Sequence, residues 1–234
     1  MPTTYAGAEW SPFFGIRSPD RRMRGGGTGA LLAAIAYDVS LTLDLPRTET
    51  VGTALNALAH CAEALYGPRR SERGDARALE GAALIAGFLP RVVADPHDRE
   101  ARAGLLRGAA AAGEALAIAG LALAHALAQA LGGTYGLPHG AMNALSLPPV
   151  LRFNAALVPE AVARFGAAIG APDDAAAGVE QLARLGGFER LRDFAVPEDE
   201  LAALALTAAG RAGNGFNPRP ASATEIEALL RSIY

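Results

Sequence analysis

Lysine is absent from this sequence, and cysteine occurs once, as Cys61. Without a lysine amine, the chain cannot activate a carbonyl compound as a lysine Schiff base. A single cysteine excludes an internal disulfide and a metal cluster built from thiolates. An unpaired cysteine is typical of a reducing compartment, so we expect a cytoplasmic protein in which Cys61 is a small core residue.

Long hydrophobic runs and an excess of one charge are also missing. The longest apolar run, residues 115–124, is too short to span a bilayer. The first ten residues, MPTTYAGAEW, have neither the basic nor the apolar region of a signal peptide, so we expect none. The formal net charge of -3 favours neither nucleic acid nor an anionic membrane as a partner. A small molecule is therefore the expected ligand.

The residues that are present divide the chain into two regions. Residues 1–45 contain two short apolar runs, FFGI and AAIAYDV, which we predict to be strands or a hairpin around the Gly-rich loop RSPDRRMRGGGTG. From residue 48 onward, alanine and leucine recur at helical spacing, and the chain is hydrophobic enough to bury a sizeable core. We predict a mainly α fold, with a short β segment at 1–45 and a helical domain that carries the substrate or metal site at 46–234.

Helical spacing and the Gly and Pro breaks predict nine helices. They span 50–66, 75–94, 98–118, 120–131, 140–153, 158–169, 173–186, 197–211 and 223–233. The expected interruptions and caps are a kink at Pro90, a stop at Gly132-Gly133, a bend or an end at Pro148-Pro149, and a capping box of Thr224 with Glu227.

Three of the four histidines lie in apolar surroundings. Asn56 and His60 are four residues apart on a predicted helix, so their side chains share one face, and His125 and Gln129 repeat that spacing. His139 follows a proline where another helix begins. Neutral imidazoles are common ligands of zinc and ferrous iron. A histidine on an alanine-rich helix is more often a core residue bonded to a backbone carbonyl, so the spacing alone leaves both interpretations open.

Two long segments resemble the signature regions of iron-containing alcohol dehydrogenases. They are GTALNALAHCAEALYG at 52–67 and LAHALAQALGGTYGLPHGAMNALSLPPVLRFN at 123–154. Three shorter segments resemble the maleylacetate reductase branch, namely PTTYAGAE at 2–9, LPRVVADPHD at 89–98 and NPRP at 217–220. The resemblance extends along the whole chain, and it implies the helical C-terminal domain of the dehydroquinate synthase-like fold.

The resemblance also assigns site residues. The family's metal ligands, an Asp and three His, match Asn56, His60, His125 and His139, so zinc or iron is the implied metal. Asn in place of Asp removes the carboxylate that helps to hold ferrous iron. Maleylacetate reductases resemble this sequence in that Asn, and members of the branch can work without a metal. A family histidine near the nicotinamide falls on Gln129, whose amide cannot act as an acid or a base.

The same resemblance implies that the family's nucleotide-binding half is missing from this sequence, and that residues 1–45 are its remnant hairpin. Thr3 and Thr4 match hydroxyls that face the cofactor, a usual Ser is Ala8, and a usual Lys appears as Arg22. The glycine run at 25–27 is not a strand-turn-helix fingerprint, so we do not expect NAD(P)H to bind this chain alone.

Three functions remain open at this stage. The chain is a reductase of a small oxo-acid or aldehyde if a nucleotide-binding domain is supplied, with the three histidines polarising the carbonyl. It is a cofactor-independent isomerase, lyase or cyclase if the cleft has been kept without hydride transfer. It is an inactive or truncated remnant if neither holds.

Other residues carry further expectations. The apolar cluster of Tyr5, Trp10, Phe13 and Phe14 predicts a homodimer or a partner chain that covers it. Arginines that could bind a substrate carboxylate are Arg22, Arg24 and Arg152, although solvated arginine is the usual default. His97, in the polar segment ADPHDRE, is predicted to be a solvated loop residue.

Overall fold

The computed structural model describes residues 1–19, 23–30 and 32–234, and this part of the chain is mainly helical, as predicted. The α-helices are α1 (Arg47–Ala64), α2 (Glu72–Ala94), α3 (Arg99–Ala119), α4 (Leu123–Tyr135), α5 (His139–Ala155), α6 (Pro159–Ala168), α7 (Ala175–Arg184), α8 (Leu201–Ala209), α9 (Ala212–Gly215) and α10 (Ala223–Ser232). Short 3-10 helices cover Ala8–Trp10, Val39–Thr42, Leu191–Phe194 and Glu198–Glu200. The predicted helix at 197–211 is therefore two elements, and α9 was not predicted.

The two strands, β1 (Phe13–Arg17) and β2 (Met23–Thr28), form an antiparallel hairpin. The prediction of a strand in AAIAYDV is wrong, because β2 lies instead in the Gly-rich stretch that was expected to be a loop. Gly26 pairs with Gly15, and a Cβ at Gly26 would lie only 2.6 Å from the carbonyl oxygen of Phe14. Close backbone approach therefore favours glycine in this strand, against the usual preference for β-branched residues.

The AAIAYDV segment is held by side-chain contacts. The hydroxyl of Tyr37 accepts a hydrogen bond from Trp10 Nε1 at 2.8 Å and donates one to Glu9 at 2.8 Å. Burial and the Glu9 carboxylate raise the pKa of Tyr37. The segment thus joins the N-terminal residues to the helical body without a sheet.

Helix α1 lies at the centre of the helical body. It packs against α2, α3 and α5, and nearly all of its residues after the first turn are buried. Its buried polar residues include Asn56, His60 and Glu63. Polar side chains are costly to bury without partners, so their position on the most enclosed helix indicates a site rather than a simple core.

The crossing of α1 and α5 depends on two glycines. A Cβ on Gly140 would lie 2.4 Å from the carbonyl carbon of Gly52, so the two backbones touch directly. His139, the first residue of α5, is adjacent to this crossing. The absence of two side chains therefore brings the start of α5 against α1.

The N-terminal segment packs on α3 through another pair of glycines. Gly7 has a left-handed backbone with φ 69°, and a Cβ on Gly113 would lie 2.4 Å from the Gly7 oxygen. Tyr5 is fully buried, and its hydroxyl accepts a hydrogen bond from Arg102 at 2.9 Å. The residues that follow Tyr5 line part of a cavity.

The predicted exposed cluster is therefore only partly correct. Tyr5 is buried within the chain, Trp10 is half-buried, and Phe14 is 47% exposed. The side chain of Phe13 lies outside the described residues. A homodimer or a covering partner stays a prediction, and Tyr5 no longer supports it.

Several predicted helix ends are wrong. Helix α4 continues past Gly132 and Gly133 and ends at Tyr135, where its C-cap, Gly136, has a left-handed φ of 71°. Only the residue that turns the chain out of the helix needs that conformation, so the earlier glycines stay helical. Helices α2 and α5 run through their prolines, as the predicted ranges 75–94 and 140–153 do, so Pro148-Pro149 does not end its helix. A proline removes one helical hydrogen bond, and burial of the surrounding turns compensates for it.

The capping box of α10 is formed by Ser222 and Glu225, so the prediction of Thr224 with Glu227 is wrong. The sequence contains two overlapping S/T-x-x-E patterns, and α10 begins at the first. Hydrogen bonds from Arg219 and Ser222 lower the pKa of Glu225 to about 2. Glu227 pairs one turn later with Arg231.

No single helix of the described residues is long and apolar enough to cross a membrane. Taken together, α3 and α4 meet that test by length and composition only, with a bend of 102° between them.

Candidate active site

Three histidines meet at one cavity of about 960 Å³. His60 comes from α1, His125 from the first turn of α4, and His139 from the first residue of α5. The remaining lining comes from the N-terminal segment, the hairpin, the end of α3 and the residues around α9. Parts of the chain that are distant in sequence therefore enclose a single space.

The histidine rings contact one another. The rings of His60 and His125 are stacked, with centroids 4.7 Å apart and planes 16° apart, and the ring of His139 lies 5.9 Å from that of His125. His60 is 3% exposed and His125 is 1% exposed, while His139 is half-buried. Burial, followed by the two neighbouring imidazoles, holds the pKa of His60 well below its usual value, so His60 is neutral near pH 7.

Glu63 fixes the orientation of His125. Its carboxylate, 0% exposed, lies 2.7 Å from His125 Nδ1 and accepts hydrogen bonds from the backbone N–H groups of Ala122 at 2.7 Å and His125 at 3.1 Å. These N–H groups belong to the first turn of α4, whose own cap residue, Ala122, provides no side-chain cap. A carboxylate at a helix N-terminus is favourable. Glu63 thus caps α4 and orients the ring of its first histidine.

Two histidine nitrogens on residues that line the cavity have no hydrogen-bond partner among the described residues. His125 Nε2 and His60 Nδ1 are buried and form no hydrogen bond with any described residue. Buried polar atoms are almost always satisfied in folded proteins. Both histidine nitrogens belong to cavity-lining residues, which is where a bound molecule would supply the missing partner.

A second hydrogen-bond network joins Asn56 to His139 through Asn143. Asn143 Nδ2 lies 2.8 Å from Asn56 Oδ1, 3.1 Å from His139 Nε2 and 3.2 Å from the His139 carbonyl oxygen. Asn56 in turn donates from Nδ2 to the carbonyl oxygen of Ala6 at 3.2 Å. This network connects the N-terminal segment, α1 and α5 at the edge of the cavity.

The four residues that match the family's metal ligands lie together, but their donor atoms do not fit a metal ion. No group of three or more His, Cys, Asp or Glu side chains in the described residues is arranged to hold one. Asn56 Oδ1 and His139 Nε2 both contact the amide nitrogen of Asn143. The carboxylate of Glu63 already accepts hydrogen bonds from two backbone N–H groups at the start of α4. Metal ligation needs free lone pairs that converge on one point.

Among the described residues, the cavity lining has positive groups and no acidic side chain. Arg69 and Arg211 both line it, and neither forms an ion pair with a described residue. Arg211 is half-buried, its Nε has no hydrogen-bond partner among the described residues, and burial lowers its pKa. Arginine stays protonated even so, which makes an unpaired, partly desolvated guanidinium a candidate anion-binding group.

The other predicted site residues are distributed unevenly. Gln129 lines the cavity, whereas Thr3 and Thr4 do not. Arg152 pairs with Glu180 at 2.6 Å on another face. Arg22 and the side chain of Arg24 lie outside the described residues, so the predicted substrate contact of Arg22 stays a prediction.

Two remaining expectations agree with the structure. His97 is an exposed turn residue between α2 and α3, as predicted. Cys61 is buried in α1, and burial raises the pKa of its thiol. The structure supports neither of them as a site residue.

Four residues of the site were missed in the sequence, namely Glu63, Asn143, Arg69 and Arg211. A signal existed for two of them. Glu63 is an acid inside the apolar run AHCAEAL, and a buried acid must be paired. Asn143 follows His139 by one helical turn and therefore shares its face. The arginines gave no signal, because an unpaired arginine is recognisable only once its surroundings are known.

The glycine run at 25–27 lies inside β2 and pairs with β1. It does not lead into a helix, so its backbone N–H groups are not arranged as a pyrophosphate cradle.

Comparison with known proteins places these features in context. The Fe-containing alcohol dehydrogenase family, C-terminal, matches residues 50–234. A maleylacetate reductase of Sphingobium indicum is 36% identical over 231 residues, covering 98% of this chain and 65% of the relative. Maleylacetate reductase 1 of Rhodococcus opacus is 35% identical over 237 residues, covering 100% and 65%. The crystal structure of maleylacetate reductase from Agrobacterium tumefaciens has a TM-score of 0.90 at 34% identity, covering 100% of this chain and 66% of that chain.

Proposed function

Because this chain belongs to the Fe-containing alcohol dehydrogenase family, we propose that it is the substrate-side catalytic unit of a nicotinamide-dependent reductase of small oxo-acids. The named relatives reduce maleylacetate, and the chain spans 65% of their length. The observation that carries the proposal is the shared cavity, in which the histidine cluster and an unpaired, half-buried arginine line the same space. The histidine cluster suits a carbonyl oxygen, and the arginine suits a carboxylate.

Arg211 is the group that we assign to the carboxylate. Its guanidinium has no acidic partner among the described residues, and the described lining residues contribute no negative charge. A carboxylate that binds a partly desolvated arginine forms charge-assisted hydrogen bonds, which are the strong class of such bonds. Arg69, more exposed at the same cavity, provides a second positive charge, which suits a dicarboxylic acid.

His125 is the group that we assign to the carbonyl oxygen. When its ring is protonated, the Glu63 carboxylate on Nδ1 balances the charge, and Nε2, which has no partner among the described residues, holds the second proton. A proton delivered from that position neutralises the alkoxide that forms as the carbonyl is reduced. His60, stacked on His125 and neutral, limits water around the ring. A bound nicotinamide nucleotide supplies the hydride in this class of reaction.

The test combines the full chain with the N-terminal part of the Sphingobium indicum reductase that this chain does not match. Maleylacetate is then added with NADH or NADPH, and the loss of nucleotide absorbance is followed. We expect reduction that depends on both polypeptides. His125→Gln should lower the rate by about 100-fold or more, because it removes the proton donor.

His97→Gln is the matched control, since His97 is exposed and is not one of the residues that line the cavity. It should leave the rate unchanged. If both variants behave alike, or if maleylacetate disappears at the same rate without this chain, the reductase proposal is wrong.

A second function is favoured by one observation, the buried Glu63–His125 pair. This pair is complete within the chain and needs no nucleotide to move a proton. It suits proton transfer at the carbon next to a carbonyl, as in an isomerase or a lyase. The two functions share the anion-binding arginine and differ in the need for hydride.

Proton NMR in heavy water distinguishes them. The full chain is incubated with an oxo-acid and no nicotinamide, and the loss of the signal next to the carbonyl is followed. Exchange that is abolished by Glu63→Gln supports the non-redox function. Absence of exchange, together with reduction in the combined assay, rejects it.

A further inference from the structure

Asn143 is a fully enclosed polar side chain at the edge of the site. It is 0% exposed and lies one turn after His139 on α5. Its amide nitrogen is within hydrogen-bond distance of three acceptors, Asn56 Oδ1, His139 Nε2 and the His139 carbonyl oxygen. An amide nitrogen carries only two protons, so this donor is fully used.

We infer that the Asn143 amide takes the structural place of a metal ion, because it holds Asn56 and His139 together and occupies the lone pairs that a metal would need. The inference concerns the same cavity as the proposed function and depends on that function in no other way. Metal binding is measured without turnover, so its outcome is independent of the reductase assay.

The orientation of each amide is determined by groups that can act in only one way. A backbone carbonyl only accepts, so the carbonyl oxygen of His139 requires Asn143 to present its nitrogen. The Ala6 carbonyl requires the same of Asn56, which leaves Asn56 Oδ1 as the acceptor from Asn143. Flipping either amide would break two hydrogen bonds. The donor–acceptor directions therefore follow from the network itself.

This arrangement also sets the state of His139. The two protons of the Asn143 amide are shared among its three acceptors, and an amide nitrogen has no lone pair to offer in return. His139 Nε2 is therefore the acceptor in its contact with Asn143, which places the proton of the neutral ring on Nδ1. A cation at Nε2 would require the same lone pair, and Asn143 would have to leave. An amide N–H bears only a partial positive charge, so it needs no carboxylate to balance it. A neutral Asn at position 56 is consistent with that requirement.

Zinc titration of the full chain tests the inference. Calorimetry and elemental analysis should find no tight, stoichiometric zinc site in the wild-type chain. Asn143→Ala removes the amide from Asn56 Oδ1 and His139 Nε2, and the zinc affinity should then rise by about 10- to 100-fold. Adding His139→Ala to that variant should remove the gain.

Asn154→Ala is the matched control. Asn154 is buried on the same helix and bonds to Asn217 rather than to the site, so its variant shows what the loss of a buried amide does by itself. A similar gain in zinc affinity in both variants would overturn the inference. One tight zinc ion in the wild-type chain, or no gain in folded Asn143→Ala, would overturn it as well.

Nitrogen NMR of the wild-type chain gives a readout that does not depend on any variant folding. The ring of His139 should show Nδ1 protonated and Nε2 as an acceptor, with the same signals before and after zinc is added. A zinc-dependent shift of Nε2 would contradict the role of Asn143.

Discussion

Glu63 shows how one side chain can serve both stability and the site. It is fully buried, and it accepts from two backbone N–H groups at the start of α4 and contacts His125 Nδ1. Helix α4 begins at a residue that offers no side-chain cap, so the acid from α1 supplies it. The orientation of His125 therefore depends on the same carboxylate that anchors α4.

Removing that carboxylate should be costly. Glu63→Ala leaves two helix N–H groups and a ring nitrogen without a partner, and we expect a loss of about 3–5 kcal/mol in the free energy of unfolding. Chemical denaturation followed by circular dichroism measures it. Glu180→Gln is the control, because Glu180 is a partly exposed acid whose pair with Arg152 should contribute less than about 1 kcal/mol. Equal losses of unfolding free energy in the two variants would contradict the role of Glu63 as the cap of α4.

The sequence predicted individual site residues unequally well. Asn56, His60, His125 and His139 were identified from helical spacing and from the family resemblance, and the fold brings all four to one cavity edge. Glu63 and Asn143 were missed because each acts through a partner on another helix, which spacing along one helix does not reveal. Arg211 was missed because its lack of an acidic partner is a property of the folded surroundings.

At the scale of elements, the crossing of α1 and α5 positions the site. Gly52 and Gly140 allow the two backbones to touch, and His139 precedes Gly140 directly. The contact is backbone against backbone, so neither side can move away as a flexible side chain would. His60 and His139 are brought near each other by this close crossing.

Gly140→Ala tests the importance of that crossing. The new Cβ would lie 2.4 Å from the carbonyl carbon of Gly52, and forcing the helices apart should cost about 1–3 kcal/mol of unfolding free energy. Gly87→Ala is the control, since Gly87 lies in α2 with nothing within 4 Å of the added Cβ. It should stabilise the chain by about 0.5–1 kcal/mol. Thermal unfolding that ranks the two variants in the opposite order would contradict the close crossing.

Helices were predicted more reliably than their ends. Apolar periodicity located the longer helices, because burying one face is the main force that holds a helix in a folded chain. The end of α4 was misplaced at Gly132-Gly133, whereas α10 begins at residue 223 as predicted and only its capping box was misassigned to Thr224 and Glu227. The prediction of a strand in AAIAYDV was wrong for a related reason. Tyr37 anchors this segment through side-chain hydrogen bonds to Trp10 and Glu9, and the segment pairs with no strand of the described residues.

At the scale of the whole molecule, the cavity is the product of distant segments. The mainly α fold and the family resemblance are confirmed. The cavity could not be derived from the sequence, because its lining joins the first residues of the chain to residues after 210. The division at residue 45, the homodimer or partner chain, and the roles of Thr3, Thr4 and Arg22 stay predictions.

The central claim is that this cavity binds a small oxo-acid through an unpaired arginine beside the histidine cluster. Calorimetric titration of maleylacetate into the full chain tests it most directly, with Arg211→Gln and Arg152→Gln as matched variants. Arg211→Gln should weaken binding by about 10- to 100-fold, because it removes a charge-assisted contact, and Arg152→Gln should leave binding unchanged. No measurable binding by the wild-type chain, or equal binding by all three proteins, would contradict the claim.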